Sequence, residues 1–318
     1  MKKIRVAVLG VGYMGKFHAE KFAASGQAEL VAVVDADAAR AKEVAAALGC
    51  AAQSDYKALL SDIDAACVAV PTERHFDVVC ACLDAGVHVL VEKPLSRTLA
   101  EADTLLNLAR GRGLVLQVGH LQRFNPAFRA LAADGGRPLF IDIERLAPFK
   151  ARGTDVDVIL DLMIHDLDLV LALARAPVEQ VSASGFRVLT GAIDIANARI
   201  EFADGCIASV SASRVSQSPV RKLRVFRHDS YVSADLQEQK LRTVRKGREK
   251  ENADGIVETE QAFERADELR EQAEDFLRAV RERAAPLVSG EQGRRVLALA
   301  LQVGNLVNER LQRHAEAT

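Results

Sequence analysis

The chain of 318 residues contains no run of about 18 consecutive apolar residues, so no transmembrane helix is expected. It also lacks a dominant charge. Lys and Arg number 42 against 44 Asp and Glu, a formal net charge of −2, which gives no general reason to expect nucleic acid or a membrane as partner. Cysteine is sparse and odd in number. Cys50, Cys67, Cys80, Cys82 and Cys206 are irregularly spaced, which argues against a disulfide framework and for a reducing compartment. Cys80-Ala-Cys82 sits in an apolar helical pattern, FDVVCACLDAG, where small core residues are a better reading than a redox or metal pair. The opening MKKIRVAVLGVG has two lysines before an apolar run, but the run is short and broken by glycine and no small-residue cleavage site follows. It reads as the first strand of a soluble, cytoplasmic protein and not as a signal peptide. There is no internal repeat and no low-complexity tract.

What the chain has is apolar residues, 49% of the total, and enough length for two domains. In the first part, short β-branched runs alternate with Ala/Leu-rich helical patterns. Strands are expected at 4–10, 29–37, 66–71, 87–94 and 114–120, with helices at 13–25, 38–48, 73–85 and 98–112. The strands are continuous apolar runs, as when helices cover both faces of a parallel sheet. After Asn125-Pro126 the pattern changes. PLFIDIERLAPF is followed by an apolar helix, ILDLMIHDLDLV (159–170), and then by six crowded strand candidates joined by turns such as Ala203-Asp204-Gly205. Two helices, roughly 262–283 and 291–314, close the chain. The expected fold is α/β: a first domain over 1–121, then an α+β domain over 122–318 with a largely antiparallel sheet. The terminal helix has the option of packing back on the first domain.

VAVLGVGYMG sets Gly10, Gly12 and Gly15 in the G-x-G-x-x-G spacing, after a strand and at the start of a helix, with Asp35 twenty residues beyond Gly15. That context turns a weak pattern into a dinucleotide fingerprint of the Rossmann type. Gly10 permits the tight turn, Gly12 lets the backbone approach a pyrophosphate at the helix N-terminus, and Gly15 allows close helix–strand packing. Asp35 is suited to the ribose hydroxyls, and the residues after it, Ala36, Asp37 and Ala38, bring no Arg for a 2′-phosphate, so NAD is expected over NADP. Tyr13 and Met14 belong to the same turn. Further strand ends supply Pro71, Thr72 and His75, and Glu92, Lys93 and Pro94. Ligands bind outside the carboxyl ends of strands in open α/β sheets, so these residues are cofactor-site candidates. Lys93 is read either as a residue of the cleft or as a solvated surface charge, and Glu92 either as a cofactor neighbour or as the lysine's ion-pair partner.

ILDLMIHDLDLV carries four ionisable residues. Asp161, His165 and Asp168 are spaced i, i+4, i+7 and share a helix face, whereas Asp166 points about 100° away from His165. Unpartnered buried carboxylates are costly, so three readings stand. The stripe forms a solvated or hydrogen-bonded structural face; or Asp161 and His165, with His120, hold a metal; or His165 is a general base oriented by Asp161, as alcohol oxidation requires.

Taken together, Gly10-x-Gly12-x-x-Gly15, Pro71 with His75, Glu92-Lys93-Pro94 and Asp161-x-x-x-His165 resemble the Gfo/Idh/MocA oxidoreductases over essentially the whole chain. The resemblance implies that Lys93 lies near substrate and nicotinamide, that Asp161 and His165 bind substrate and move its proton, and that His75 lies near the nicotinamide. It implies an open second sheet that carries the substrate and builds homodimers or homotetramers. No other compact His/Cys/Asp cluster supports the metal reading, so no metal is expected. Two departures bear on the pocket: Thr72 stands where the family often has Asn, and Met163 where it often has Gly.

Longer segments, VGHLQRFNPA, RLAPFKARGTDVDVILDLMIHDLDLVL and SASRVSQSPVRKLRVF, resemble the branch of that family that oxidises the 3-hydroxyl of UDP-N-acetylglucosamine for lipid A diamino-sugar biosynthesis. This implies a UDP-sugar substrate. Arg221 to Lys250 holds ten Lys/Arg against four acids, a pattern that fits a diphosphate but equally a solvated strand face. Arg123, Asn125, Arg152 and Arg214 are the candidates for the nucleotide. The alternatives are a simple sugar or inositol-like polyol dehydrogenase, and a non-catalytic NAD-binding regulator of the same fold.

Overall fold

The computed structural model describes residues 2–150, 156–247 and 255–316. Its chain divides into two compact units, residues 1–124 with 267–297, and residues 125–266 with 298–318.

In the first unit the elements are β1 (Ile4–Leu9), α1 (Tyr13–Ala24), β2 (Ala28–Val34), α2 (Ala38–Leu48), β3 (Ala51–Gln53), β4 (Ala65–Val68), α3 (His75–Asp84), β5 (His88–Glu92), α4 (Leu99–Arg112) and β6 (Leu116–Gly119). The strands pair in parallel in the order β3-β2-β1-β4-β5-β6. This is the doubly wound order, whose switch point lies between β1 and β4. Strands β4 and β6 are buried along their whole length, which explains the unbroken apolar run of β4, while the one polar residue of β6, Gln117, donates to the Gln272 carbonyl. Strand β3 escapes sequence reading because Ala-Ala-Gln carries no β-branched signal; its pairing with β2 alone makes it a strand. Helix ends follow local chemistry. Asp37 caps α2 by accepting from the N–H groups of Ala39 and Arg40, and Thr98 and Glu101 form a capping box on α4.

The boundary expected at residue 121 needs correction, because the chain returns to the first unit. Helix α7 (Glu268–Glu282) and the first turns of α8 (Gly290–Glu316) belong to it. The cause is apolar burial: Ala273, Phe276, Leu277 and Ala279 of α7 share one core with Val6, Phe22, Val33 and Leu90. Helix α7 also begins six residues later than expected, at an Asp267 N-cap.

The second unit holds α5 (Pro126–Ala133), β7 (Phe140–Leu146), α6 (Ile164–Ala174), β8 (Val178–Phe186), β9 (Ile195–Phe202), β10 (Ile207–Ser213), β11 (Val220–Phe226), β12 (Ser230–Asp235), β13 (Lys240–Lys246) and β14 (Ile256–Ala262). These strands form one sheet, β14-β13-β12-β11-β7-β10-β9-β8, antiparallel except for the parallel β7–β10 pair. Burial alternates strictly along β7, so Ile141, Ile143 and Arg145 lie on the covered face and Asp142 and Glu144 on the other. The sequence offers no alternating signal for β14, IVETEQA, because nearly all of it is exposed. Its acidic residues lie opposite the basic β13, with Arg242 2.5 Å from Glu258.

Candidate active site

The turn after β1 is built for a dinucleotide. Gly10 has φ +86°, in the left-handed region that favours glycine. A Cβ on Gly15 would stand 1.8 Å from the Gly10 carbonyl oxygen, so any side chain there separates α1 from β1. Gly12 differs: a Cβ would meet nothing within 4 Å, so the chain's own packing does not require glycine at that point. The N-terminus of α1 has no side-chain cap and no acidic residue in its first turn, so its positive dipole end suits a phosphate. These features fit the pyrophosphate of NAD. Two substitutions separate packing from binding. Gly15→Ala is expected to destabilise the first unit, whereas Gly12→Ala should keep the unfolding midpoint and weaken NAD affinity by about tenfold or more. Thermal unfolding and NAD titration of both variants check this.

Asp35 closes the site. Its Oδ2 accepts the Val11 N–H at 2.9 Å and its Oδ1 the Asp37 N–H at 2.9 Å, so it ties the glycine turn to the end of β2. Arg40, from the first turn of α2, reaches to 3.5 Å of Asp35 and 3.3 Å of Asp37. An arginine therefore does stand beside Asp35, and the run Ala36-Asp37-Ala38 did not reveal it because the helix brings it back. Two carboxylates against one guanidinium still leave the local balance negative, which suits ribose hydroxyls better than a 2′-phosphate. Tyr13 is exposed and Met14 half-buried at the start of α1, and Pro71 and Thr72 open the 3-10 turn after β4.

His75 and Glu92 are not simple cofactor contacts. His75 is buried, with Nδ1 2.8 Å from the Pro94 carbonyl and Nε2 3.0 Å from the Val70 carbonyl. Its ring links two loops at the carboxyl ends of the strands. Glu92 accepts from the fully buried His18, Nε2 to Oε1 at 2.7 Å, and from the Lys93 backbone N–H at 3.2 Å. The lysine side chain is half-buried at the end of β5. His18 carried no sequence signal, because a histidine inside a helix is ordinary until its partner is known.

In the second unit the site helix is not a plain α-helix. Ile159–Met163 forms a π-turn, in which the Ile164 N–H bonds back to the Ile159 carbonyl, before α6 begins. Such turns frequently occur at functional sites, and the wider turn alters the 100° reckoning between positions 161 and 165. Asp161 and His165 are both half-buried, while Asp166 and Asp168 are both buried at 1% exposure. Asp168 thus parts from the half-exposed pair, and Asp166 is not ordinary. Its carboxylate takes a two-pronged contact from Arg145 of β7: Nη2 to Oδ1 at 2.6 Å and Nε to Oδ2 at 2.9 Å. Burial pushes the Asp166 carboxyl up and the guanidinium opposes it. A charged residue anchors this helix alongside the apolar ones.

The entry to the π-turn is pinned from a second side. Asp157 accepts the Ile193 N–H at 2.8 Å and Val158 donates to the Ile193 carbonyl at 2.9 Å. Next to it, Asp194 collects the N–H groups of Val188, Leu189 and Thr190 at 2.7–2.9 Å. Burial pushes its carboxyl up, but the Thr190 hydroxyl and these three N–H groups pull it down to about 2.

The nucleotide candidates fare differently. Asn125 is fully buried as the N-cap of α5, accepting from Ala127 and Phe128 and donating to the Leu236 carbonyl at 2.9 Å. This gives Asn125 a capping role in the fold, for which Asn before Pro is itself a helix-start signal. Arg214 is also buried, and its guanidinium donates to the Val156 carbonyl. Arg123 is half-buried in the 3-10 turn Leu121–Phe124. Arg152 lies outside the described residues, as do the last three residues of the basic stretch. Much of that stretch is neutralised within the unit. Arg224 pairs with Asp142 at 2.5 Å and Glu144 at 3.1 Å, Arg227 pairs with Asp134, and Arg242 with Glu258.

Among the described residues no group of three or more His, Cys, Asp or Glu could hold a metal ion, and no helix is long and apolar enough to cross a membrane. The five cysteines are free, and burial pushes the Cys82 thiol up to about 12, as suits a core residue.

Comparison with known proteins agrees with both units. The Gfo/Idh/MocA oxidoreductase family pattern, with its NAD-binding Rossmann fold, matches residues 4–120, and the C-terminal domain of the same family matches residues 135–229. UDP-N-acetylglucosamine 3-dehydrogenase of Acidithiobacillus ferrooxidans is 42% identical over 98% of this chain and 100% of that protein. The chain belongs to the Gfo/Idh/MocA family. It is an NAD-binding oxidoreductase whose first unit carries the cofactor fold. A solved structure of the A. ferrooxidans enzyme superposes with a TM-score of 0.91 at 41% identity, covering 96% of this chain and 98% of that one. The scyllo-inositol 2-dehydrogenase (NAD(+)) of Bacillus subtilis is a more distant relative, 33% identical over 67% of this chain and 68% of that protein.

Proposed function

We propose that this family member oxidises the 3-hydroxyl of UDP-N-acetylglucosamine to a 3-keto sugar nucleotide. The observation that carries the reading is the 42% identity to a UDP-N-acetylglucosamine 3-dehydrogenase across 98% of the chain. The inositol dehydrogenases are less similar, at 33% identity or below over the matches that cover two thirds of the chain or more.

Bound NAD supplies the hydride acceptor. His165 takes the proton of the substrate hydroxyl as general base, a task an imidazole suits. Asp161 sets the tautomer of His165 and supports the charge it gains. Lys93 donates a hydrogen bond to the reacting oxygen and stabilises the negative charge that develops there. Pro71, Thr72 and the glycine turn hold the cofactor, and Arg123 contacts the nucleotide diphosphate. The ketone product is the kind of carbonyl an aminotransferase consumes, which places the reaction before a transamination in the making of a lipid A diamino sugar. The protein works in the cytoplasm as a homo-oligomer formed through the second sheet.

With NAD and UDP-N-acetylglucosamine, NADH is expected to accumulate, and mass spectrometry of the sugar nucleotide should show the loss of two hydrogens. Free sugars and inositols serve as competitors in parallel assays. Turnover of an inositol in preference to the UDP-sugar would replace this reading with a polyol dehydrogenase. No NADH from any of them would favour a non-catalytic NAD-binding regulator.

A further inference from the structure

Lys93 is followed by proline, which has no N–H, so the Lys93 amide is the only backbone donor at this point of the turn. That amide is held by a chain of buried and half-buried groups. Its N–H donates to Glu92 Oε2 at 3.2 Å, and the other oxygen of the same carboxylate lies 2.7 Å from His18 Nε2. His18 comes from α1, three residues after Gly15, and has no solvent exposure. Burial pulls the His18 imidazole down, but the Cys67 sulfur and the Glu92 carboxylate outweigh it and raise it to about 10. Glu92 is held below the usual carboxylate range: burial raises it, while His18 and Lys93 draw it down.

Two further contacts hold the same turn. Across β6, a Cβ on Gly119 would come within 3.0 Å of Glu92 Oε2, so glycine there makes the room the carboxylate occupies. On the other side of the lysine, His75 Nδ1 reaches the Pro94 carbonyl at 2.8 Å. The turn is therefore gripped on both sides of Lys93, from α1 through Glu92 and from α3 through His75. Neither histidine is exposed enough to meet solvent.

We infer that His18, Glu92 and His75 form a brace, with both histidines buried, that sets the position of Lys93, with His18 a positioning residue acting through the Glu92 carboxylate. The consequence for turnover rests on the role proposed above for Lys93; the consequence for the backbone does not. The brace also ties the lysine to the helix that starts at the glycine turn, so the turn and the lysine share one support. A misplacement of about 1 Å at a catalytic group can cost about a hundredfold in rate, which gives such a support its value.

The test uses the full chain and four variants. His18→Leu removes the donor to Glu92. His18→Gln keeps an N–H at the position of Nε2. Gly119→Ala presses on the carboxylate from β6. Lys93→Met removes the ammonium and leaves the backbone. Amide hydrogen exchange of the Lys93 peptide and steady-state rates with NAD and UDP-N-acetylglucosamine are measured for each. In His18→Leu and Gly119→Ala, exchange at Lys93 is expected to quicken by about tenfold. In both, kcat should fall by about tenfold to a hundredfold with KM for NAD little changed. His18→Gln should recover most of both.

Unchanged exchange at Lys93 in His18→Leu overturns the brace. So does faster exchange spread evenly along α1 and β5, which would make His18 core support only, and so does a His18→Gln variant as impaired as His18→Leu. If Lys93→Met keeps full turnover, the proposed role of Lys93 fails, and the exchange results still decide whether the brace exists. Quickened exchange confined to Lys93 establishes the brace whichever substrate the enzyme takes.

Discussion

Replacing His165 by Ala is expected to lower kcat with UDP-N-acetylglucosamine by about a hundredfold to ten-thousandfold, the usual contribution of a positioned general base. The affinity for NAD should stay within about twofold, because the glycine turn, Asp35 and the uncapped start of α1 all belong to the first unit, whereas His165 belongs to the second. The residue is half-buried in the first turn of an α-helix that follows a π-turn, so truncating it removes a ring at the rim of the core and not a fully buried one. The unfolding midpoint should move little. A step monitored by NADH formation, with NAD binding measured separately by titration, checks both halves. Full turnover in the Ala variant would remove His165 from the proton transfer and leave Lys93 as the group to examine.

The second large effect concerns Arg145 and Asp166. Each is nearly out of solvent, at 6% and 1% side-chain exposure, and they meet at 2.6 Å. Asp166→Leu leaves a buried guanidinium without its carboxylate and is expected to cost about 3–5 kcal/mol of stability. Arg145→Met alone should cost a similar amount, because it strands the carboxylate that burial already disfavours in its charged form. The double variant, Arg145→Met with Asp166→Leu, should recover most of the loss, since a hydrophobic pair of similar volume often replaces a buried ion pair at little cost. Denaturant unfolding of the three variants gives the cycle directly. Two single losses that simply add in the double variant would show that the pair is not coupled. Because Asp166 follows His165 on α6, the double variant also asks whether the ion pair aims the histidine. A stable double variant with reduced kcat would assign it that task.

How the site could be read in the sequence depended on how local its chemistry is. The glycine turn was legible because Gly10 and Gly15 answer constraints within about ten residues: the φ of Gly10 and the Gly10–Gly15 contact both arise inside one β–α junction. Lys93, Asp161 and His165 were legible as candidates because they depart from their apolar surroundings. Their supports were not. Arg145 and Asp166 are 21 residues apart, Asp157 and Ile193 are 36 apart, and His18 and Glu92 are 74 apart. Such pairs leave no mark at a fixed spacing. Asn125 and Arg214 illustrate the same limit: both pair with backbone groups of this chain, which their nearness to a functional motif does not reveal. A buried polar side chain must be paired, and the nearest unsatisfied groups are often those of its own backbone.

By itself the sequence determined the βα alternation of the first unit, the change to a mostly antiparallel sheet, the glycine turn and the residues at the strand ends. These rest on periodicity and steric demands that act between near neighbours. Only the tertiary structure decided that α7 returns to the first unit, that Ile159–Met163 winds as a π-turn, that the basic β13 draws an acidic β14 beside it, and that His18 stands behind Lys93. Each of these is settled by what a buried or charged group finds across the fold. The energy that decides it lies in desolvation and pairing between distant segments, not in any local preference of the chain.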